Sequence, residues 1–234
     1  MVLDNLVRSE YEMNYKVIAF DLYGTLLNTD GTKDACVRYF GDKGIELVSL
    51  WRRFQLEFTW LRSLTGDFKD FDEITADALV YSIELLGLDH TNELVEDIAR
   101  SYLDLPAFDE VGTVLARLNR NFETMVVSNG TPSSIKIAVK NAELHSSLNY
   151  LVSASAGGVF KPSPIAYDQI FGFTACSKAE ILFVSSNSWD INGASTYGFD
   201  TFWVNRRRAP FENLGARAKY VGQDLNDLMI LLDA

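Results

Sequence analysis

The chain has 234 residues, 47% of them hydrophobic, enough apolar material for a buried core and too much for global disorder. Against 21 lysines and arginines stand 32 aspartates and glutamates, a formal charge of −11, which argues against nonspecific binding to nucleic acid or to an anionic membrane. The two cysteines, Cys36 and Cys176, have no paired spacing and no histidine cluster beside them, so neither a zinc site nor a disulfide framework is expected and a reduced, cytoplasmic compartment fits.

The N-terminal stretch MVLDNLVRSEYEMNYK is too charged for a secretion signal. No apolar run approaches the ~18 residues a membrane-spanning helix needs. Residues 17–20, Val-Ile-Ala-Phe, read as a short strand buried on both faces, as in a parallel sheet. The strand ends in Asp21-Leu22-Tyr23-Gly24-Thr25. From 32 to 107 the pattern is helical only. Leu47, Trp51, Phe54, Phe58 and Leu61 mark one face of a long helix, and further helices are expected near 71–87 and 91–104. The strand grammar returns at Thr124–Val127, followed by Ser128-Asn129-Gly130. It returns again at Ile181–Val184, followed by Ser185-Ser186-Asn187, and at Thr201–Val204. Helices are expected at roughly 109–121, 133–143, 164–172, 190–197 and 224–233. Arg206-Arg207-Arg208 is the one basic run and reads as a solvated loop.

Strands alternating with helices predict a doubly wound, Rossmann-like parallel α/β sheet, with chemistry beyond the carboxyl ends of the strands. The expected division is a core of residues 15–30 and 108–234 and an inserted helical cap domain, 31–107, closing over those strand ends. A carboxylate directly after a buried strand is costly unless satisfied, which singles out Asp21. At a charge of −11 an anionic ligand would require positive charge built into the site. There is no G-x-S-x-G elbow and no GxGxxG or P-loop pattern, so no support for a serine hydrolase or for nucleotide binding.

Asp21 with Gly24-Thr25, Ser128-Asn129, Lys161-Pro162 before Tyr167, and a polar cluster containing Asp190 together resemble the haloacid dehalogenase superfamily. Most of its members are phosphatases with an aspartate two residues after the nucleophile. Here that position is Tyr23, whose phenol is a poor general acid near neutral pH. The stretch Ser185-Ser186-Asn187-Ser188-Trp189-Asp190 has one carboxylate, too few for a hard dication. Tyr23 and this stretch are similar to the (S)-2-haloacid dehalogenases, as is the segment from Trp51 to Leu61.

The resemblance implies that Asp21 attacks C2 of a small 2-haloacid, displaces halide with inversion and forms an ester that water hydrolyses. It implies that Arg52 receives the halide and that Lys161 neutralises Asp21 and the substrate carboxylate. Thr25, Ser128 and Asn129 would donate hydrogen bonds to carboxylates. Asp190 would orient Lys161 or activate water, and Ser185 and Asn187 would align the ester or the water. Tyr23, Leu56, Phe71 and Trp189 would form an apolar pocket, with Tyr167 hydrogen-bonding near the site. Arg53 is expected to touch substrate if it faces the pocket. No metal, no cofactor, no nucleic acid and no membrane are expected, and the family suggests a homodimer. A magnesium-dependent phosphatase and a non-catalytic small-anion-binding protein are the alternatives.

Overall fold

The computed structural model describes residues 13–234; the N-terminal segment read above falls largely on residues 1–12, outside the described residues. In chain order the strands are β1 (Val17–Phe20), β2 (Glu123–Ser128), β3 (Tyr150–Ser153), β4 (Ile181–Ser185), β5 (Asp200–Val204) and β6 (Tyr220–Gly222). The helices are α1 (Lys33–Phe40), α2 (Lys43–Thr65), α3 (Phe71–Leu85), α4 (Asn92–Arg100), α5 (Val111–Leu118), α6 (Pro132–Asn141), α7 (Pro164–Asp168), α8 (Ser188–Tyr197) and α9 (Leu225–Leu232). The strands pair in parallel in the order β3-β2-β1-β4-β5-β6. Chain order reverses between β1 and β4, and a crevice opens at such a switch point.

Both faces of the sheet are covered, which is why its strands are continuously apolar. Ile18, Phe20, Val126, Leu182 and Val184 pack with α5, α6 and α9 on one face. Val17, Ala19, Met125, Val127 and Phe183 pack with α7 and α8 on the other. The register sets Phe20 beside Val126 and Val184, so the strands end level and Asp21, Ser128 and Ser185 emerge at one rim. β3 and β6 are absent from the sequence reading. Both are edge strands, partly exposed, and lack the fully buried apolar run that marks β1 and β4.

α1–α4 form one helical block behind β1. The chain enters and leaves it side by side: Leu27 bridges Ala107, and the Asn28 amide donates to the Pro106 carbonyl at 2.8 Å. Asp70 caps α3 in a reciprocal box with Glu73, and Gly66, in the left-handed region, ends α2. The expected stripe on α2 holds through Leu47, Trp51 and Phe54 but fails at Leu61, which is 49% exposed. Gln55 and Thr59 are buried instead, so the inner face of α2 turns polar toward its C-terminal half. The α-helical segments at 91–104 and 164–172 stop early, at Arg100 and Asp168, and continue as single 3-10 turns.

α8 packs very close to the Lys161 loop. A Cβ on Gly193 would lie 2.4 Å from Pro162 Cβ and 2.6 Å from the Tyr167 hydroxyl. Gly193→Ala is therefore expected to lose about 1–3 kcal/mol of stability through overpacking. A urea midpoint indistinguishable from the wild type would show that the loop yields freely.

Candidate active site

Asp21 leaves β1 with its amide donating to the Val184 carbonyl at 2.9 Å, and its side chain is 7% exposed. Its two oxygens are treated differently. Oδ1 accepts from Lys161 Nζ at 2.9 Å. Oδ2 accepts from the Thr25 hydroxyl at 2.8 Å, from Asn187 Nδ2 at 2.8 Å and, longer, from the Ser185 hydroxyl at 3.4 Å. The loop bringing Thr25 back under Asp21 turns at Gly24, whose φ of +91° suits glycine alone. It is pinned from across the site, where Ser186 donates its amide to the Thr25 hydroxyl and its own hydroxyl to the Gly24 carbonyl.

Lys161 is 1% exposed and makes three hydrogen bonds, to Asp21, to the Val127 carbonyl at 3.0 Å and to Asp190 Oδ2 at 2.7 Å. Its backbone amide donates to Asn129 Oδ1 at 2.9 Å. Asp190 is fully buried in the first turn of α8, and its other oxygen accepts from the Tyr167 hydroxyl at 2.7 Å. Burial pushes the Asp190 carboxyl up to about 6, against the pull of Lys161. Burial pulls the Lys161 ammonium down, but Asp190 and Asp21 outweigh it and hold its pKa above the ordinary lysine value. Two carboxylates thus share one ammonium in a place closed to water.

Above Asp21, Tyr23 stacks on Phe71 with ring centroids 5.8 Å apart and meets the edge of Tyr102 at 5.6 Å. Burial, with Asp72 nearby, raises the Tyr23 phenol, which stays neutral. Arg52 reaches down from α2. Its guanidinium donates to Gln55 Oε1 at 2.7 Å and weakly to the Tyr23 carbonyl at 3.4 Å. Among the described residues it has no carboxylate within ion-pair distance. Leu56 lines the same cleft, and Trp189 meets Trp60 edge-on at 5.5 Å.

The structure thus brings together Asp21, Thr25, Lys161, Ser185, Asn187 and Asp190, with Asn129 behind the lysine and Arg52, Leu56, Phe71 and Tyr23 above. Ser128 is fully buried, and its hydroxyl accepts from the Gly130 amide at 3.2 Å. Three expectations are corrected. Arg53 does not face the pocket: one step along the helix turns it to solvent, where it pairs with Glu57 and rests on Phe54. The Tyr167 hydroxyl does hydrogen-bond near the site, but to Asp190 from beneath it, and the residue has no surface to touch a substrate. Arg206 is not a solvated loop residue. It stacks 3.8 Å over Phe108, pairs with Glu110 at 2.6 Å and donates to the Thr25 carbonyl.

Sequence reasoning missed Gln55, which is fully buried. It receives Arg52 and Tyr102 and donates to Thr75 at 2.7 Å, which fixes the arginine. A glutamine on the inner side of an apolar stripe, three residues after an arginine, was the available signal. Among the described residues no group of three or more His, Cys, Asp or Glu side chains is placed to hold a metal ion. An amide N–H of Asn187 occupies the space where Asp21 Oδ2 and the Tyr23 carbonyl converge, a place a cation would otherwise need.

The family model for haloacid dehalogenase-like hydrolases matches residues 15–198. The chain is 38% identical over 217 residues to (S)-2-haloacid dehalogenase 2 of Pseudomonas sp. (strain CBS-3), covering 92% of this chain and 95% of that one. It is 40% identical to the (S)-2-haloacid dehalogenase of Pseudomonas sp. (strain YL), covering 87% and 88%. Among solved structures, the L-2-haloacid dehalogenase of Xanthobacter autotrophicus with chloropropionic acid covalently bound superposes with a TM-score of 0.89 at 31% identity, covering 94% of this chain and 99% of that one.

Replacing Lys161 by methionine leaves two buried carboxylates without a counter-ion, at a cost of about 3–5 kcal/mol. The sign with pH follows from Asp190. Its folded pKa already lies above the ordinary carboxylate value, so its contribution is most favourable below pH ~4 and is lost as pH rises through about 6. Without Lys161 that pKa rises further. The penalty measured by urea unfolding should therefore be small at pH 5 and larger at pH 8; a penalty independent of pH would contradict the charge argument.

Proposed function

This chain belongs to the haloacid dehalogenase-like hydrolases, and on that premise we propose that it converts a short (S)-2-haloalkanoic acid and water to the 2-hydroxyacid, halide and a proton, with inversion at C2. The observation that carries this reading is the unequal solvation of Asp21. Oδ2 has three donors and Oδ1 has one, so Oδ1 keeps the freer lone pair and is the attacking atom. It forms a bond to C2 as the carbon–halogen bond breaks and the halide departs with the electron pair. Arg52, a cation without a carboxylate partner among the described residues, receives it. A halide leaves without a proton, so a neutral Tyr23 where an acid would stand is no handicap.

In the resulting ester Oδ2 is the carbonyl oxygen. Water attacks the Asp21 carbonyl carbon, negative charge develops on Oδ2, and the Thr25, Asn187 and Ser185 donors are already aimed at it. The tetrahedral intermediate collapses with one proton of the water passing to the departing oxygen and the other to solvent, the hydroxyacid leaves and the carboxylate is restored. The same donors set the ground state of the first step and stabilise the second. Lys161 holds the charge balance throughout. Asp190, with both oxygens engaged and no exposure, serves to orient the lysine. The helical segment 31–107 acts as a cap, the Tyr23, Phe71, Leu56 and Trp189 side chains shape the apolar pocket, and no metal takes part, consistent with the Asn187 donor beside Asp21.

Two free cysteines and a charge of −11 are compatible with a cytoplasmic location, and no helix among the described residues is long and apolar enough to cross a membrane. The assembly we propose is a homodimer, for which the exposed Leu61 and Leu64 on α2 offer apolar surface.

Halide release from (S)-2-chloropropionate should proceed with EDTA present and vanish in Asp21→Asn. Hydrolysis of a phosphate ester only on addition of Mg²⁺, with no halide release, would return the chain to the phosphatases. Asn187→Ala should slow hydrolysis of the ester more than its formation, by about 100–1,000-fold for one lost donor. Rapid-quench mass spectrometry would then find the propionyl-enzyme accumulating in the variant and not in the wild type. If halide release and ester decay slow equally, Oδ2 is not the oxyanion.

A further inference from the structure

Asp21 is nearly sealed, so reactants must reach it through one of the cavities that border its shell. Three do, and they differ in charge. The first, about 400 Å³, opens between the loop after β5 and α2 and is walled by Asp30, Arg52, Asn187, Trp203, Arg206 and Arg207. The second, about 380 Å³, lies beside the Lys161 loop between Trp60, Leu64, Phe160 and Pro162 and carries no charged side chain. The third, about 330 Å³, lies behind Tyr23 and Phe71 and holds Asp72, Glu96 and Arg100.

The charge of the first cavity survives its internal pairings. Arg206 is offset by Glu110 at 2.6 Å. Arg207 meets Asp30 at 3.6 Å, but the two side chains are 82% and 69% exposed, so that pair is largely screened. Arg52 has no carboxylate partner among the described residues. One positive charge remains in excess, at the cleft that Asn187, itself bonded to Asp21, also lines. The third cavity has one negative charge in excess, and the second offers an anion two serine hydroxyls, Ser63 and Ser163, and no charge.

We propose that the arginine-lined cleft between the loop after β5 and α2 is the anion route of this protein, by which a small carboxylate enters and halide and hydroxyacid leave, with Arg207 as its outermost steering charge. The inference rests on the proposed reaction for the identity of the anions and on the cavity charges for the route. On a chain of net charge −11, a local positive funnel raises the concentration of an incoming anion where the rest of the surface lowers it. Arg207 collects, and Arg52 receives next to the nucleophile. Arg206, neutralised and fixed on Phe108, keeps the wall of the cleft in place.

The test compares Arg207→Glu, Asp30→Asn and, at the third cavity, Arg100→Glu. Quenching of the Trp203 fluorescence, defined by difference against Trp203→Phe, is measured with iodide and with neutral acrylamide. Arg207→Glu should lower the iodide constant about two- to fourfold at low ionic strength and leave acrylamide unchanged. Asp30→Asn should raise the iodide constant, and Arg100→Glu should do nothing. In turnover, kcat/KM for (S)-2-chloropropionate should follow the same order and converge at about 0.5 M salt. Equal iodide quenching in wild type and Arg207→Glu, or a larger loss of kcat/KM in Arg100→Glu, overturns the route. Wild-type protein that releases no halide, yet shows the iodide pattern, overturns the proposed reaction and keeps the cleft as an anion site.

Discussion

One ammonium held between two buried carboxylates organises this molecule. Removing Lys161, Asp21 and Asp190 from water carries a desolvation cost that only close, well-directed pairing offsets. The pairing here spends every donor of the lysine: one on Asp21, one on Asp190, one on the Val127 carbonyl. Each partner comes from a different element. Asp21 follows β1, Val127 lies in β2, Asp190 rides on α8, and the lysine sits in the loop before α7. The triad exists only when the parallel sheet has formed with its strands ending level, so forming the site and completing the fold are coupled events.

The rest of the site divides its electrostatics by height. Below, negative charge is in slight excess and is contained by hydrogen bonds from Thr25, Asn187, Ser185 and Tyr167. Above, the helical block supplies a cation that no carboxylate among the described residues neutralises, and buried amide and hydroxyl groups hold it. Gln55 bonds Arg52 and is itself bonded by Tyr102 and Thr75. Between the two lies a neutral aromatic wall, Tyr23 on Phe71. An anionic nucleophile and an anionic ligand can share such a space because the positive charge is built in at fixed points rather than recruited from solvent.

The helical block and the core are also joined by polar contacts that sequence reading had no means to see. Asp72, in the first turn of α3, accepts from the Thr131 and Ser134 hydroxyls at the start of α6. The Phe160 amide, next to Lys161, donates to the Ser63 hydroxyl of α2 at 3.0 Å. Both contacts fall beside residues that shape the site, so the position of Phe71 and of the lysine loop depends on how the two parts meet. Residue pairs about 60 and 97 positions apart in the chain leave no periodic trace.

The sequence by itself determined the alternation of strand and helix, the parallel class of the sheet, the helical interruption after the first strand and the strand-end placement of Asp21, Ser128 and Ser185. Those features are written in runs of three or four apolar residues and in the polar residues that end them, which are local signals. The resemblance of spaced motifs added Lys161, Asn187, Asp190 and Arg52. Tertiary structure alone decided the rest. Arg52 and Arg53 are adjacent in sequence, yet one faces the cleft and the other the solvent, because a helix turns about 100° per residue and only packing on α3 fixes its phase. Arg206 was misjudged for the opposite reason: it looks like an ordinary loop residue until the sheet brings the Thr25 carbonyl within reach. Which oxygen of Asp21 is left free, and which cavity is positively charged, depend on distances of a few ångströms between segments remote in the chain, and no local pattern encodes those.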